Sequence, residues 1–388
     1  MVNFCSVSAA LATSALLGQA FAHPGEHHTA EQIKREVSAQ HRANHKMARA
    51  LERCANNPSY VARRERAVTR RAETAKALRQ KRSIEHKSVR GKRDEAALEK
   101  WMAVSHNQTA EGINLDTPYS ELFSGNASCA LVEETTIGPY WVEGELVRAD
   151  ISEDQGGVPL HLDVQFVDIS DCSAVSDMVI DVWHCNATGV YSGVSATGQG
   201  GLNSTFLRGA QISDQDGVAQ FDTVFPGHYQ GRATHIHVLT TKEATILTNK
   251  TYDGGVATHI GQFFFDQDLI SAVEANAPYT DNQQELTTNA DDGIAAGEAT
   301  DDYDIFMDYA LLGDSAADGL MAWIVVGVDM SSNQTSQVQA AAHHYADGGV
   351  DTSDGNQPGP PPGGNGTGIP SGIPSGVPTN LPSTFPRL

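Results

Sequence analysis

The stretch RGAQISDQDGVAQFDTVFPGHYQGRATHIHV, from Arg208 to Val238, contains the pattern that decides the fold. Its short runs of alternating apolar and polar residues are separated by Asp, Gly and Pro, as in strands joined by tight turns. Similar runs flank it: LHLDVQFVDI and MVIDVWHC before it, and IGQFFF and MAWIVVGVDM after it. Short strands without helices between them are typical of antiparallel sheets. We therefore predict a mostly β domain over residues 111–345, built as an antiparallel β-sandwich.

The first 22 residues predict that the protein is secreted. They hold an apolar run that ends in Ala20-Phe21-Ala22, the small-x-small pattern of a signal peptidase site. No later stretch reaches about 18 apolar residues, so we predict no membrane span. Seven Asn-x-Ser/Thr acceptors predict surface glycosylation, at Asn107, Asn126, Asn186, Asn203, Asn249, Asn333 and Asn365.

Residues 23–110 form a basic segment that we predict to be a helical arm, interrupted near Asn57-Pro58. From residue 23 to 105 there are 20 basic and 10 acidic residues, although the whole chain has a net charge of −22. Nucleic acid could bind such a segment, but export argues against it as a partner. The preferred interpretation is a solvated arm, able to dock on the acidic body. Lys81-Arg82 and Lys92-Arg93 are dibasic pairs, so the arm is also a candidate propeptide.

Residues 346–388 form a tail rich in Pro, Gly and Ser, with too few apolar residues for a core. We predict that this tail is disordered.

Four cysteines remain after the signal peptide, and in an exported chain they suggest two disulfides. Cys172 and Cys185 flank one strand and could pair locally, which would leave Cys54 to pair with Cys129. Three pairings are possible in all, and buried free thiols are the alternative.

His235 and His237 are the first candidates for a metal site. Residues two apart on a strand point to the same face, so both imidazoles can reach one metal ion while Ile236 packs into the core. Alone, a His-x-His pair is explained more often by ordinary surface or core histidines. Tyr229, six residues earlier, and Tyr191, at the end of DVWHCNATGVYS, strengthen the case for a metal.

These segments resemble the intradiol ring-cleavage dioxygenases. GPYW at 138–141, GGVPLHLDVQFVD at 156–168, DVWHCNATGVYS at 181–192 and the stretch from Arg208 to His237 occur in the family's order. The resemblance implies one non-haem Fe(III) per chain, held by Tyr191, Tyr229, His235 and His237. It also implies that Arg232 lies beside the substrate, that Gln262 lies behind the ligands, and that Tyr229 leaves when substrate binds. The implied reaction joins a small aromatic diol and O2 to give a cis,cis-muconate.

Two phenolates suit a strongly charged cation, because the free phenol has a pKa near 10 and would otherwise be neutral. Other residues are weaker candidates. Tyr140 and Tyr252 are expected to be core tyrosines, Trp183 and His184 to pack rather than react, and His161, His228 and His259 to lie out of register. The amino-terminal histidines His23, His27 and His28 could bind copper, although short terminal clusters are often incidental.

The substrate is predicted from charge and loop length. The interval from Tyr229 to His235 is shorter than in well-known relatives, which implies an open pocket. After Asn107 there are only six basic residues, so we predict neutral catechols or hydroxyquinol in preference to a carboxylated ring. The oligomeric state is not predicted. The alternative function is a secreted, non-enzymatic binding or surface protein that retains the fold.

Overall fold

The computed structural model describes residues 46–84, 106–107, 128–130, 140–299, 304–345 and 347–352. The helices are α1 over residues 46–54, α2 Pro58–Lys81, α3 Gln267–Glu274 and α4 Gly293–Glu298. The strands are β1 Ser128–Ala130, β2 Val142–Glu143, β3 Pro159–Asp168, β4 Val179–Trp183, β5 Arg208–Ile212, β6 Val218–Val224, β7 His235–Lys242, β8 Thr245–Ile246, β9 Tyr252–Asp253, β10 Val256–Phe264, β11 Asp308–Leu311, β12 Leu320–Val328, β13 Ala342–Tyr345 and β14 Gly348–Asp351. Short 3-10 turns occupy Tyr279–Asp281, Asn289–Asp291, Ala316–Asp318 and Thr335–Gln337.

Two sheets enclose the main core, and the predicted mostly β sandwich is confirmed. One sheet has the order β1-β12-β3-β6, with β11 also paired to β12, and the other has the order β10-β7-β4-β5. Side chains from β3, β6, β4 and β7 meet between them, including Phe166, Phe221, Val182 and Ile236. The second sheet is antiparallel, as expected. The first is mixed, because β12 runs parallel to both β1 and β3.

The described part of the amino-terminal arm, residues 46–84, is a third layer rather than a solvated appendage. Asn57 caps α2 by accepting from the amides of Ser59 and Tyr60, and Pro58 starts the helix, so the predicted interruption lies between α1 and α2. Met47 and Leu51 join the main core. Ala72, Ala75 and Leu78 of α2 pack against Met321 and Trp323 of β12. All nine residues of β12 are buried, because the arm covers the outer face of this sheet.

A buried ion cluster attaches α2 to the sheet. Asp163 of β3 has no exposed surface, and Arg70 donates to both of its carboxylate oxygens, at 2.8 and 2.9 Å. Arg71 and Gln220 donate to it at 2.8 and 2.9 Å. Burial alone would raise the pKa of Asp163, but the two arginines outweigh it and hold the pKa well below its usual range. The positive charge of the arm is thus partly neutralised by the body that it covers.

The disulfide differs from both predicted pairings. Cys54, at the end of α1, is bonded to Cys172 in the turn after β3. Cys185 is a buried free thiol that donates to the carbonyl of Gly227 at 3.2 Å. The pairings Cys172–Cys185 and Cys54–Cys129 are therefore wrong, because packing of α1 on the sheet brings Cys54 to Cys172. The Cys129 side chain lies outside the described residues.

The folded domain extends beyond the predicted boundary at residue 345. Gly348–Asp351 form β14, which pairs with β13 in a three-stranded sheet with β2. Position 349 of β14 requires glycine, because a Cβ at Gly349 would lie 2.1 Å from the carbonyl oxygen of Leu202. Residues 348–351, which were predicted to belong to the tail, are therefore part of the folded domain.

Several predictions fall outside the described residues: the signal peptide, the histidines at 23, 27 and 28, the Lys92-Arg93 pair, the acceptors Asn126 and Asn365, and residues 353–388. Among the acceptors that are described, Asn203, Asn249 and Asn333 are exposed. Asn186 is partly buried and donates to Gln155 at 3.1 Å. No helix in the described ranges has the length and apolar character needed to cross a membrane.

The cluster at Asp163 predicts how strongly the arm is held. Asp163→Asn would leave Arg71, which is nearly fully buried, without its carboxylate, and we expect a loss of about 3–5 kcal/mol in the free energy of unfolding. Asp216→Asn, which removes the exposed pair with Arg66, is the control and should cost far less. Because the folded pKa of Asp163 is depressed, its contribution is present above about pH 4 and is lost as pH falls below that value. Denaturant titration of both variants tests this, and equal losses would contradict it.

Candidate metal centre

Strand β7 lies between β4 and β10 and carries both candidate histidines. His237 is opposite Trp183 of β4 on one side and Gln262 of β10 on the other. The Trp183 and His237 rings stack at 4.9 Å with an angle of 2° between their planes. Ile236 points to the other face and joins the main core. The predicted division of this strand into a core face and a site face is therefore what the structure has.

A tight turn brings Tyr229 back to the histidines. The Arg232 amide donates to the Tyr229 carbonyl at 3.4 Å, and Gly231, third in the turn, has φ +91°. A side chain is strained at that φ, which is why glycine occupies the position. The short interval from Tyr229 to His235 thus begins with a hydrogen-bonded turn. This turn places the Tyr229 hydroxyl 3.2 Å from His235 Nε2.

Tyr191 is positioned by its neighbours on a loop. Its amide donates to Gln199 Oε1 at 2.6 Å, and its carbonyl accepts from the Gly200 amide at 2.7 Å. The next residue, Ser192, is held by the buried guanidinium of Arg208, whose Nη2 donates to the Ser192 carbonyl at 2.7 Å. Tyr191 consequently lies 5.7 Å from the Tyr229 ring and 6.2 Å from the His237 ring, between ring centroids.

The four donors form one buried group, and its spacing fits a metal ion. His235 Nε2 lies 3.1 Å from His237 Nε2 and 3.2 Å from the Tyr229 hydroxyl. Ligands at right angles around a metal, each bound at about 2.1 Å, are separated by about 3 Å. His235 Nδ1 is directed at the Ala233 carbonyl at 2.6 Å, which leaves Nε2 with a lone pair for a metal. Among the described residues, the Tyr191 hydroxyl is buried without a hydrogen bond of ordinary geometry.

The protonation of the group also suits a cation. Burial, then the nearby Arg232, lowers the pKa of His235 to about 3, so its imidazole is neutral. Burial and the neighbouring Tyr229 raise the pKa of Tyr191 well above 10, and burial also raises that of Tyr229. Without a cation both phenols therefore keep their protons. Within the described ranges, no group of three or more Cys, His, Asp or Glu side chains could hold a metal ion. The anionic donors of this group would therefore be the tyrosines.

Arg232 lies beside the donors and is held by two partners. Its Nε donates to Asp292 Oδ2 at 3.0 Å, and its Nη2 donates to Gln262 Oε1. Arg232 and Gln262 are thus in direct contact. The role of Asp292 was not predicted from the sequence. Only its position before a short helix distinguishes it from its many acidic neighbours.

Four of the other residues noted in the sequence have partners outside the group of donors, and Tyr140 differs from them. His184 contacts the Cys185 carbonyl and the Thr223 hydroxyl, both at 2.8 Å, and His161 and His228 pair with carboxylates. Tyr252 donates to Asp181 at 2.7 Å and is a core residue. Tyr140 is the exception. It is only partly buried and packs on Tyr191 with ring centroids 5.0 Å apart, so it lies at the edge of the site.

A buried charge network lies behind Tyr191 and predicts a pH dependence of stability. Arg208 faces Glu145 at 3.4 Å. Burial raises the pKa of Glu145 to about 7, although Arg208 and Arg148 act against it. Asp181 lies in the same network, and burial, then Glu145, raises its pKa too.

A carboxyl whose folded pKa lies above its unfolded value of about 4.3 stabilises the fold at low pH, and this contribution is lost as pH rises through the folded pKa. We therefore expect the Tm of the wild type to fall by several degrees, relative to Glu145→Gln, between about pH 5 and pH 8. Glu243→Gln, at an exposed position, should keep the wild-type slope. Parallel curves for wild type and Glu145→Gln in thermal melts would refute this.

Comparison with known proteins shows a similarity to dioxygenases over part of the chain. Residues 138–304 match the sequence model of a family described as Dioxygenase. Catechol 1,2-dioxygenase 1 of Acinetobacter lwoffii is 31% identical over 144 residues, which are 34% of this chain and 40% of the relative. The chain thus spans less than half of the curated relative that it matches.

Solved structures show a partial likeness. The intradiol ring-cleavage dioxygenase from Tetranychus urticae is 24% identical, with a TM-score of 0.44 over 54% of this chain and 97% of that one. Hydroxyquinol 1,2-dioxygenase from Pseudomonas putida DLL-E4 is 20% identical, with a TM-score of 0.33 over 53% and 68%. Residues 138–304, less than half of this chain, are therefore similar to a dioxygenase family, and part of the chain is similar to a catechol 1,2-dioxygenase.

Proposed function

We propose that the protein is an Fe(III)-dependent intradiol dioxygenase, which inserts both atoms of O2 into a catechol-type aromatic to give a cis,cis-muconate. The observation that carries this proposal is the buried group of two imidazoles and two phenols. In this group His235 Nε2 lies 3.1 Å from His237 Nε2 and 3.2 Å from the Tyr229 hydroxyl. Tyr191, Tyr229, His235 and His237 would hold one iron ion. Ferric iron would supply the electron acceptor and Lewis acid that ring opening by O2 requires.

The chain's own residues would bind, orient and move protons. Tyr229 is on a turn rather than a strand, so the phenolate that iron would stabilise could move away from the other donors and take a proton from the substrate. Arg232, held by Gln262 and Asp292, would stabilise negative charge that develops beside the ligands. Partly buried apolar side chains, which suit an aromatic ring, pack against the hydrophobic cluster that includes Tyr191 and Tyr229: Tyr140, Leu202, Val338, Ala340 and Ala341.

The distribution of cations supports a neutral substrate. Arg208 and Arg232 lie beside the site, and each already faces a carboxylate, Glu145 and Asp292. Lys242 donates to the Met330 carbonyl, and Arg148 pairs with Glu153. No described cation of the body is therefore both close to the site and without a partner, as recognition of a ring carboxylate would require.

We also propose that the enzyme acts outside the cell. The apolar segment at residues 1–22 and the acceptor sequences support this. The Cys54–Cys172 disulfide supports it as well, because disulfides persist in oxidising compartments.

Iron loading tests the proposed function. Ferric tyrosinate absorbs visible light, so we expect purified protein loaded with one Fe(III) per chain to be coloured and to convert catechol to the muconate. His235→Ala should abolish iron binding, and Tyr229→Phe should shift the band and slow turnover. Tyr252→Phe, at a buried tyrosine that contacts Asp181, is the matched control and should leave the band unchanged. A colourless protein that binds no iron would instead support the alternative, a non-enzymatic binding or surface protein.

Substrate preference tests the argument from charge. We expect kcat/KM to be at least about tenfold higher for catechol or hydroxyquinol than for protocatechuate, because an unpaired carboxylate at a buried site loses more than about 1.4 kcal/mol. Steady-state kinetics on this small panel measures the ratio. A higher kcat/KM for protocatechuate would refute the expectation without affecting the assignment of the iron site.

A further inference from the structure

Asp292 connects two parts of the site that belong to different segments of the chain. Its Oδ2 atom accepts from Arg232 Nε at 3.0 Å and from the Ala233 amide at 2.6 Å. Its Oδ1 atom accepts from the amides of Ile294 and Ala295, at 2.7 and 3.1 Å, as the N-cap of α4. The side chain is fully buried, and all these contacts come from N–H donors. One carboxylate thus joins α4, the substrate-side arginine and the backbone before β7.

The contact with Ala233 reaches a candidate metal ligand. The Ala233 carbonyl accepts from His235 Nδ1 at 2.6 Å, and this bond sets the direction of the ring and of Nε2. Asp292 fixes the amide of Ala233, and the carbonyl of the same residue orients the His235 ring. Asp292 therefore also restrains the position of this carbonyl. Burial opposes ionisation of Asp292, but Arg232 and the amide of Ala233 outweigh it and keep the pKa below its ordinary value.

Asp292 is also the last of a series of contacts that support the Tyr229 turn. Residues 282–292, which we call the strap, run beside residues 228–233. Asn282 Nδ2 donates to the His228 carbonyl at 2.8 Å. The Gly231 amide donates to the Thr287 hydroxyl at 2.9 Å. The strap therefore holds the short turn in place through these hydrogen bonds.

We propose that Asp292 is a positioning residue of the metal centre, which holds the Arg232 guanidinium and, through Ala233, the His235 ring. Its effect on turnover depends on the function proposed above, whereas its effect on His235 does not. Loss of a residue that orients a metal ligand typically costs 10- to 100-fold in metal affinity or activity. Asp292 therefore affects two quantities that helix capping alone would leave unchanged: the order of the His235 ring and the affinity for iron.

The test is Asp292→Ser, because serine still caps a helix but cannot reach Arg232 and Ala233 together. Asp266→Ser is the matched control. Asp266 is also a buried N-cap, of α3, and it accepts from the Leu269 amide at 2.8 Å. In iron-free protein, NMR should show the His235 Nδ1 proton exchanging with solvent at least about tenfold faster in Asp292→Ser. In competition with a chelator, the Kd for Fe(III) should rise about 10- to 100-fold, and kcat should fall more than KM rises. Asp266→Ser should remain within about twofold of wild type in the proton exchange rate, in the Kd for Fe(III) and in the kinetic constants.

Wild-type proton exchange and wild-type iron affinity in folded Asp292→Ser would overturn the proposal. If that variant does not fold, Asp292→Asn, of nearly equal volume, is measured in the same way. Its amide can satisfy only one of the two sets of N–H donors, so the same changes are expected, and wild-type values would again overturn the proposal. Faster exchange at His235 in a protein that turns over no catechol would uphold the role of Asp292 and refute the proposed function instead.

Discussion

Strand β7 lies between β4 and β10, and the hydrogen bonds of these two ladders fix the direction in which His235 and His237 point. A shift of one residue in either ladder would turn both imidazoles into the core and Ile236 out of it. The same register sets Trp183 against one side of His237 and Gln262 against the other. The rest of the site is arranged around this strand, because Tyr191 and Tyr229 come from loops that must be brought to it.

Each loop is held by a buried arginine with a carboxylate partner. Arg208 with Glu145 holds the loop of Tyr191, and Arg232 with Asp292 is part of the turn that carries Tyr229. A third buried cluster, Asp163 with Arg70 and Arg71, attaches the amino-terminal arm on the other sheet. Because these charges are desolvated, removal of one partner costs far more than at the surface. The acidic body thus uses few cations, and those near the site hold ligand-bearing segments.

The sequence predicted the strands, the His-x-His geometry and the candidate donors, because period-two patterns and ordered motifs are local signals. It allowed the basic arm to dock on the acidic body, but it did not predict the mixed sheet or the burial of both faces of β12, because MAWIVVGVDM was grouped with the alternating runs. The Cys54–Cys172 bond and Asp292 were also missed. Both contacts depend on which distant segments meet, and no spacing along the chain encodes that. Tyr140 was assigned to the core because its contact with the Tyr191 ring joins two distant segments and has no local signal in the sequence.

The central claim is that two tyrosines and two histidines form a site for one ferric ion. Anomalous X-ray scattering at the iron edge, on crystals of iron-loaded protein, tests it most directly. The account predicts one strong peak per chain within bonding distance of the Tyr191 and Tyr229 hydroxyls and of Nε2 of His235 and His237. An iron peak elsewhere in the chain, or none at these four atoms in protein that retains its iron, would contradict it.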